Sequence, residues 1–285
     1  RQGASEGILS LEKFREAARL ENPDDARTAK PRLVTTLSLL APETGEHRPV
    51  PDAGLGAVPC DWSADGTRLL VGRVDARSGG LELYTWNLVT GAWTRVQRGP
   101  VGSGAGIADG PIRLAWHGPI REGRGFSGGI FVESSTTARE LLPGSKGATT
   151  PDLSPDGRTV VYARVSEGSN SGATIYLHTT GETEPHAVTR GASPRFSRDG
   201  KWIAFTRQTR GSSDVWLMRA DGSAKRQITQ TSFDEEFPAL SPDGRYVVYA
   251  SARGDESENL LYLSRVSDGA EREIVHSGLN TRPVW

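Results

Sequence analysis

Ser154-Pro155-Asp156-Gly157 returns as Ser197-Arg198-Asp199-Gly200 and again as Ser241-Pro242-Asp243-Gly244, so one unit recurs every 43 to 44 residues. A fixed period of that length marks a repeat architecture, in which each unit buries its apolar faces against its neighbours. Asp-Gly supplies the positive φ of a tight hairpin, and Leu153, Phe196 and Leu240 precede it. Residues 159–163, 202–206 and 246–250 follow, rich in Val, Ile, Tyr and Phe and short enough to be strands. Third strands are expected at 174–177, 214–218 and 260–263, and fourth strands at 186–189, 226–229 and 272–275. Four antiparallel strands per unit make a propeller blade.

The template extends towards both ends. Asp61-Trp62-Ser63-Ala64-Asp65-Gly66 is another copy, with strands expected at 68–72, 82–86 and 93–96. A degenerate copy follows it. There 113–116 reads as the first strand, 129–133 and 139–142 as the last two, and His117-Gly118-Pro119 stands where the turn should be. Residues 99–110, with five glycines, read as a long mobile connection on one rim. Arg282-Pro283-Val284-Trp285 repeats the strand before the turn, while 33–40 and 46–50 read as third and fourth strands of the same unit. The expectation is an all-β, six-bladed propeller of four-stranded antiparallel blades over residues 33–285, with the two termini closing one blade. The second strand of that blade would come from 5–9 or from chain beyond Trp285.

Residues 1–32 read as an N-terminal arm. Ser10 can cap a short amphipathic helix through Leu11, Phe14, Ala17, Ala18 and Leu20, which Pro23 ends. Composition sets further bounds. With 34 basic and 35 acidic residues the net charge is −1, which offers no bulk attraction for nucleic acid or an anionic membrane. No apolar run approaches the roughly 20 residues needed to span a bilayer. The single cysteine, Cys60, cannot form an internal disulfide and reads as a small buried hydrophobe.

The repeated Ser-x-Asp-Gly units, with phrases such as Asp214-Val215-Trp216-Leu217-Met218-Arg219 and Arg226-Gln227-Ile228-Thr229 in the later strands, resemble the TolB-like β-propeller repeat family over roughly residues 33–285. The resemblance implies a periplasmic or otherwise exported protein. It departs in one respect: residues 1–32 are too short for the additional α/β domain that precedes the propeller in TolB. Similar repeats also occur in propellers attached to prolyl-oligopeptidase-like peptidases, so a fold likeness leaves the activity open.

A search for catalytic chemistry returns little. Gly-x-Ser-x-Gly occurs at Gly3-Ala4-Ser5-Glu6-Gly7 and at Gly125-Phe126-Ser127-Gly128-Gly129, but neither stands at a strand-to-helix turn, so no elbow for a serine nucleophile is read. His47, His117, His178, His186 and His276 fall at unrelated positions of the repeat and make no metal-ligand spacing. No catalytic residue and no cofactor is therefore expected.

Binding residues follow from the architecture. The first strand of each blade lines the central channel, and aligning by the turn serine places Asp61, Ala115, Asp152, Arg195, Ala239 and Val284 at one channel-facing position. Arg195 can neutralise the two acids, or the three can recognise a charged group. On the rim just before the first strands, Asp234, Glu235 and Glu236 align with Arg190 in one neighbour and with Asn280 in the other. Phe233 and Phe237 flank the acidic run, and Arg282 falls near it. Such a run can be a solvated loop, a contact for a basic peptide, or a weak calcium site. The expected function is a noncatalytic platform, monomeric and not membrane-inserted, that holds a protein or extended peptide at the channel mouth. The alternatives are a propeller enzyme acting on a carbohydrate or small molecule, with Asp61 or Asp152 as acid/base, and the regulatory propeller of a larger peptidase.

Overall fold

The four Ser-x-Asp-Gly turns are built alike. Ser63, Ser154, Ser197 and Ser241 each donate a hydroxyl hydrogen bond of 2.6 Å to the aspartate two residues on. Each hydroxyl also accepts the N–H five residues on, at 2.9 or 3.0 Å. Both functions of the serine are thus satisfied inside a turn that hides it from water.

This computed structural model describes residues 8–15, 33–41, 44, 46–54, 56–74, 81–102, 104–123, 125–165, 172–209, 211–253, 259–275 and 283–285. The first sheet contains β1 (Ile8–Arg15), β2 (Leu33–Leu40) and β3 (His47–Pro49). Blade 1 follows with β4 (Val58–Trp62), β5 (Arg68–Val74), β6 (Leu81–Asn87) and β7 (Trp93–Val101). Blade 2 contains β8 (Ala105–Ile107), β9 (Ile112–Glu122), β10 (Gly125–Ser134) and β11 (Glu140–Leu141). Blade 3 contains β12 (Ala148–Leu153), β13 (Thr159–Val165), β14 (Ala173–Thr179) and β15 (His186–Arg190). Blade 4 contains β16 (Ala192–Phe196), β17 (Trp202–Thr209), β18 (Ser212–Arg219) and β19 (Arg226–Gln227). Blade 5 ends the series with β20 (Glu235–Leu240), β21 (Tyr246–Ser251), β22 (Leu260–Arg265) and β23 (Glu271–Val275).

Three expectations are corrected. The described residues form five four-stranded antiparallel blades rather than six, together with the three-stranded sheet β1-β2-β3. Of the C-terminal strand expected at 282–285, only Val284 makes a bridge among the described residues. Among the described residues the N-terminal helix is also absent: Ile8–Arg15 is a strand paired antiparallel with Leu33–Leu40 over eight positions. An unpaired edge of that length offers more hydrogen bonds than a short capped helix retains alone, so pairing overrides local propensity. The expected helical positions Ala17, Ala18 and Leu20 lie outside the described residues. In blade 2, finally, the glycine-rich segment is not only a connection. Ala105–Ile107 is its innermost strand, and 113–116 belongs to the second strand, β9.

The core lies between the sheets and closes into a ring. Leu37, Leu39 and Val284 pack with Trp62 and Leu69 of blade 1, while Leu40 and Trp285 pack with Ala239 and Val248 of blade 5. Four further clusters fill the seams between blades 1 and 2, 2 and 3, 3 and 4, and 4 and 5. Blades 1 and 4 therefore face each other across the axis. Among the described residues no helix is long and apolar enough to cross a membrane.

Candidate functional site

The ladder hydrogen bonds fix which side chains reach the axis. In blade 3, Asp152 pairs with Val161 and Leu153 with Val160; in blade 2 the equivalent pairs are Gly106 with Ala115 and Ile107 with Leu114. The channel-facing set is therefore Asp61, Gly106, Asp152, Arg195 and Ala239. Ala115, expected in that set, is its second-strand partner instead, and Val284 is buried in the seam beside blade 1.

Asp61, Asp152 and Arg195 do converge. Arg195 Nη2 lies 3.6 Å from Asp61 Oδ1, and its Nε lies 3.9 Å from Asp152 Oδ1. The acids also tie blades together: Asp61 accepts the Trp62 N–H at 2.8 Å and that of Ile107 in blade 2 at 3.0 Å. Asp152 accepts the Phe196 N–H of blade 4 at 2.7 Å. Burial, reinforced by Asp152, pushes the Asp61 pKa up to about 7 against the opposing pull of Arg195 and the two N–H groups. Two acids share one guanidinium in low dielectric, so full ionisation leaves the cluster one positive charge short.

The cluster also plugs the axis. On the turn side, Arg198 reaches across from blade 4 and donates to the Ala64 carbonyl of blade 1 at 3.3 Å. Free space of about 30 Å³ remains beneath it, and about 10 Å³ on the opposite side, beside Thr150, Ser193, Arg195 and Phe237. A cavity holds one water at roughly 10–15 Å³. Each of these two recesses has room for water only, and both Asp61 oxygens are engaged by backbone donors.

The opposite mouth carries the rim residues. Thr150, Ser193 and Phe237 hold φ values of 48°, 49° and 51°, each just before a proline and each at the register shift of its first strand. These three strained bulges aim side chains at the mouth. Phe233, in the loop before β20, stands 43 % exposed, and Asp234 and Glu236 are exposed as well. Asp234 accepts the Ser213 N–H of blade 4 at 2.8 Å.

Glu235 differs from its neighbours, being fully buried. It accepts hydrogen bonds from Thr229 at 2.8 Å and Thr231 at 2.5 Å, and pairs with Arg253 at 3.3 Å. Burial raises its pKa, and those same partners oppose the rise. Arg253 also binds Glu271 at 2.7 Å and lies over the Phe233 and Tyr262 rings. The acidic run is thus two outward carboxylates around one structural ion pair. Among the described residues no group of three or more His, Cys, Asp or Glu could hold a metal ion. Arg190 is exposed at the end of β15, whereas Asn280 and Arg282 lie outside the described residues.

Sequence reasoning missed Thr150, Ser193, Arg198 and Arg253. The first two were signalled by Thr150-Pro151, Ser193-Pro194 and Phe237-Pro238, which recur four residues before each turn serine. Arg198 was signalled by its replacement of the proline found at Pro155 and Pro242. Nothing local marks Arg253, whose partners come from three strands or loops.

The sequence profile of the TolB beta propeller domain matches residues 134–285. An uncharacterized protein of Agrobacterium fabrum is 30% identical over 152 residues, which are 49% of this chain and 51% of that protein. An uncharacterized peptidase of Bacillus subtilis is 28% identical over 140 residues, 46% of this chain and 21% of that protein. The crystal structure of TolB from Acinetobacter baumannii superposes with a TM-score of 0.74 at 18% identity, covering 99% of this chain and 67% of that one. This chain thus matches about half, or less, of the length of these curated relatives.

Proposed function

We propose, from the premise that this chain belongs to the TolB beta propeller domain family, that its ring is a noncatalytic platform holding an extended segment of a partner protein across the channel mouth. The observation that carries this reading is the rim itself. Phe233 and Glu236 are presented to solvent above a buried ion pair, and the plugged axis beneath gives a partner a floor rather than a tunnel. An aromatic anchor within a polar rim is the usual composition of a binding hot spot. An extended segment crossing such a mouth would gain specificity from the outward acids Asp234 and Glu236 and from Arg190, so a partner with basic residues fits best. The reading requires neither cofactor nor oligomer, and it places the protein outside the cytoplasm, as the family resemblance suggests.

The test is affinity capture with the intact chain beside Phe233→Ala/Glu236→Lys. Both positions are exposed, so the ring should fold unchanged while one specific partner is lost. Equal capture by both proteins would reject the mouth as the site. A second reading is favoured by the Bacillus subtilis peptidase, to which this chain corresponds over 21% of the length: the ring would regulate access to a hydrolase carried on the same polypeptide. Peptidase activity in the protein made from the complete reading frame would support it, and a frame without a hydrolase region would remove it.

A further inference from the structure

The loop that carries Phe233 is fastened to both neighbouring blades. On the blade 4 side, Asp214 accepts the Thr231 N–H at 3.2 Å, and Ser212 Oγ donates to the Thr231 carbonyl at 2.8 Å. On the blade 5 side, the Asp234 carbonyl accepts the Ala252 N–H at 3.0 Å. Between these anchors two threonine hydroxyls act as relays that end on one carboxylate. The Val215 N–H donates to Thr229 Oγ at 2.8 Å, and that hydroxyl donates to Glu235 Oε2 at 2.8 Å. The Phe233 N–H donates to Thr231 Oγ at 3.2 Å, and that hydroxyl donates to Glu235 Oε1 at 2.5 Å. Arg253 Nη2 is a third donor, at 3.3 Å, and its guanidinium lies 5.8 Å from the centre of the Phe233 ring. Glu235 thus holds both the main chain of the loop and the cation on which Phe233 rests.

All three partners of this carboxylate donate to it, and the guanidinium cannot accept at all. Protonated Glu235 carries an O–H that must find an acceptor, so at least one hydroxyl has to turn away from its relay. Thr231 has such an alternative, because its Oγ lies 3.3 Å from the Phe233 carbonyl oxygen. Proton uptake also leaves Arg253 with Glu271 as its charged partner. Glu235 is fully buried, and burial raises its pKa against the pull of Thr231, Thr229 and Arg253. The other ionisable groups around it are Tyr249 and Glu271 beside Arg253, Asp234 and Glu236 next to it in the chain, and Asp214 across Thr231. Strands β16 and β17, which pack on β20, bring Arg195 at the axis and Arg207 over the Trp216 ring.

We infer that ionised Glu235 is the clasp that presents Phe233, so the mouth is a proton-sensitive surface, ordered while Glu235 is charged and loosened when it takes up a proton. The consequence for a partner rests on the rim reading proposed above, whereas the clasp can be followed in the chain alone.

The test is amide hydrogen exchange of the full chain from about pH 7.5 to about pH 5, corrected for the intrinsic pH dependence of exchange, with 246–251 of β21 as internal reference for 229–236. Protection of 229–236 should fall at least about fivefold across this range while that of 246–251 stays constant. Glu235→Gln places a neutral amide among the donors, so it should show the low protection already at about pH 7.5 and no further response. Asp214→Asn and Glu236→Gln should keep the response. Should Glu235→Gln fail to fold, Thr231→Val removes one relay and should likewise lower protection at about pH 7.5. Protection of 229–236 that does not fall with pH, that falls equally in 246–251, or that still falls in Glu235→Gln would overturn the inference. Failure of partner capture would leave these rates unchanged, so the rim reading and the clasp fail separately.

Discussion

Replacing Asp61 with asparagine should change how stability depends on pH. In the folded ring, burial and Asp152 lift the Asp61 pKa from 3.8 to about 7, so the native state holds this proton more tightly than the unfolded chain does. The stabilisation is complete below about pH 4 and is lost as pH rises through about 7. At about 1.4 kcal/mol per pH unit the full difference is about 4 kcal/mol. The pull of Arg195 and of the two N–H groups is already contained in that value, and Asp152 shares the ionisation, so about 2–4 kcal/mol is assigned to Asp61. The Asp61→Asn side chain cannot ionise, so the variant lacks this loss. It carries instead a constant penalty of about 1–3 kcal/mol, because its amide group must face one of the two N–H donors that Asp61 accepts. Urea unfolding followed by tryptophan fluorescence, at intervals from pH 4.5 to 8, measures both terms. The wild type should be the more stable at pH 4.5, and its advantage should shrink or reverse by about 2–4 kcal/mol at pH 8. Titrating groups outside the axial cluster, including Glu235 and Asp65, are common to both proteins and cancel. A difference between the two proteins that stays constant, or grows with pH, would refute the assignment of Asp61 as the strained member of the axial cluster.

Three further outcomes are expected. Gly157 and Gly244 share a φ of +66°, but a Cβ at Gly157 would lie 2.4 Å from the Ile112 carbonyl oxygen, and one at Gly244 would touch nothing; Gly244→Ala should cost about 1–2 kcal/mol and Gly157→Ala at least about 3, read from denaturation midpoints. Arg253→Met strands Glu235, whose side chain is 0% exposed, and should cost about 3–5 kcal/mol, part of which Glu235→Gln restores in the double variant. Glu236→Lys, which is exposed, should alter stability by less than about 0.5 kcal/mol, and Phe233→Ala, which removes the ring beneath Arg253, by about 0.5–1 kcal/mol, while both weaken partner capture.

Most of this architecture was legible because its determinant is local. The serine, aspartate and glycine of each turn satisfy one another within six residues, so blades 1, 3, 4 and 5 could be placed from four short phrases. Blade 2 escaped for a physical reason. Its equivalent turn bond runs from the Ala108 N–H to the Arg113 carbonyl, so alanine stands in the serine position and the strand before it is hidden among glycines. The strand at Ile8–Arg15 escaped because its partner, Leu33–Leu40, lies across a long connection in sequence, and a local cap pattern favours helix. At the site, the convergence of Asp61, Asp152 and Arg195 followed from repeat alignment alone. The division of Asp234, Glu235 and Glu236 into outward and inward acids did not, because it rests on Arg253, a partner supplied by another loop.

The claim that function resides at the mouth opposite the Ser-x-Asp-Gly turns is tested most directly by site-specific photocrosslinking in the source cell. A benzophenone side chain is placed either at Phe233 or at Val89, which is 80% exposed on the turn between β6 and β7. A discrete protein adduct at position 233 and none at 89 is the expected result. An adduct at 89 alone, or none at 233 under conditions where the protein is abundant, would contradict the account.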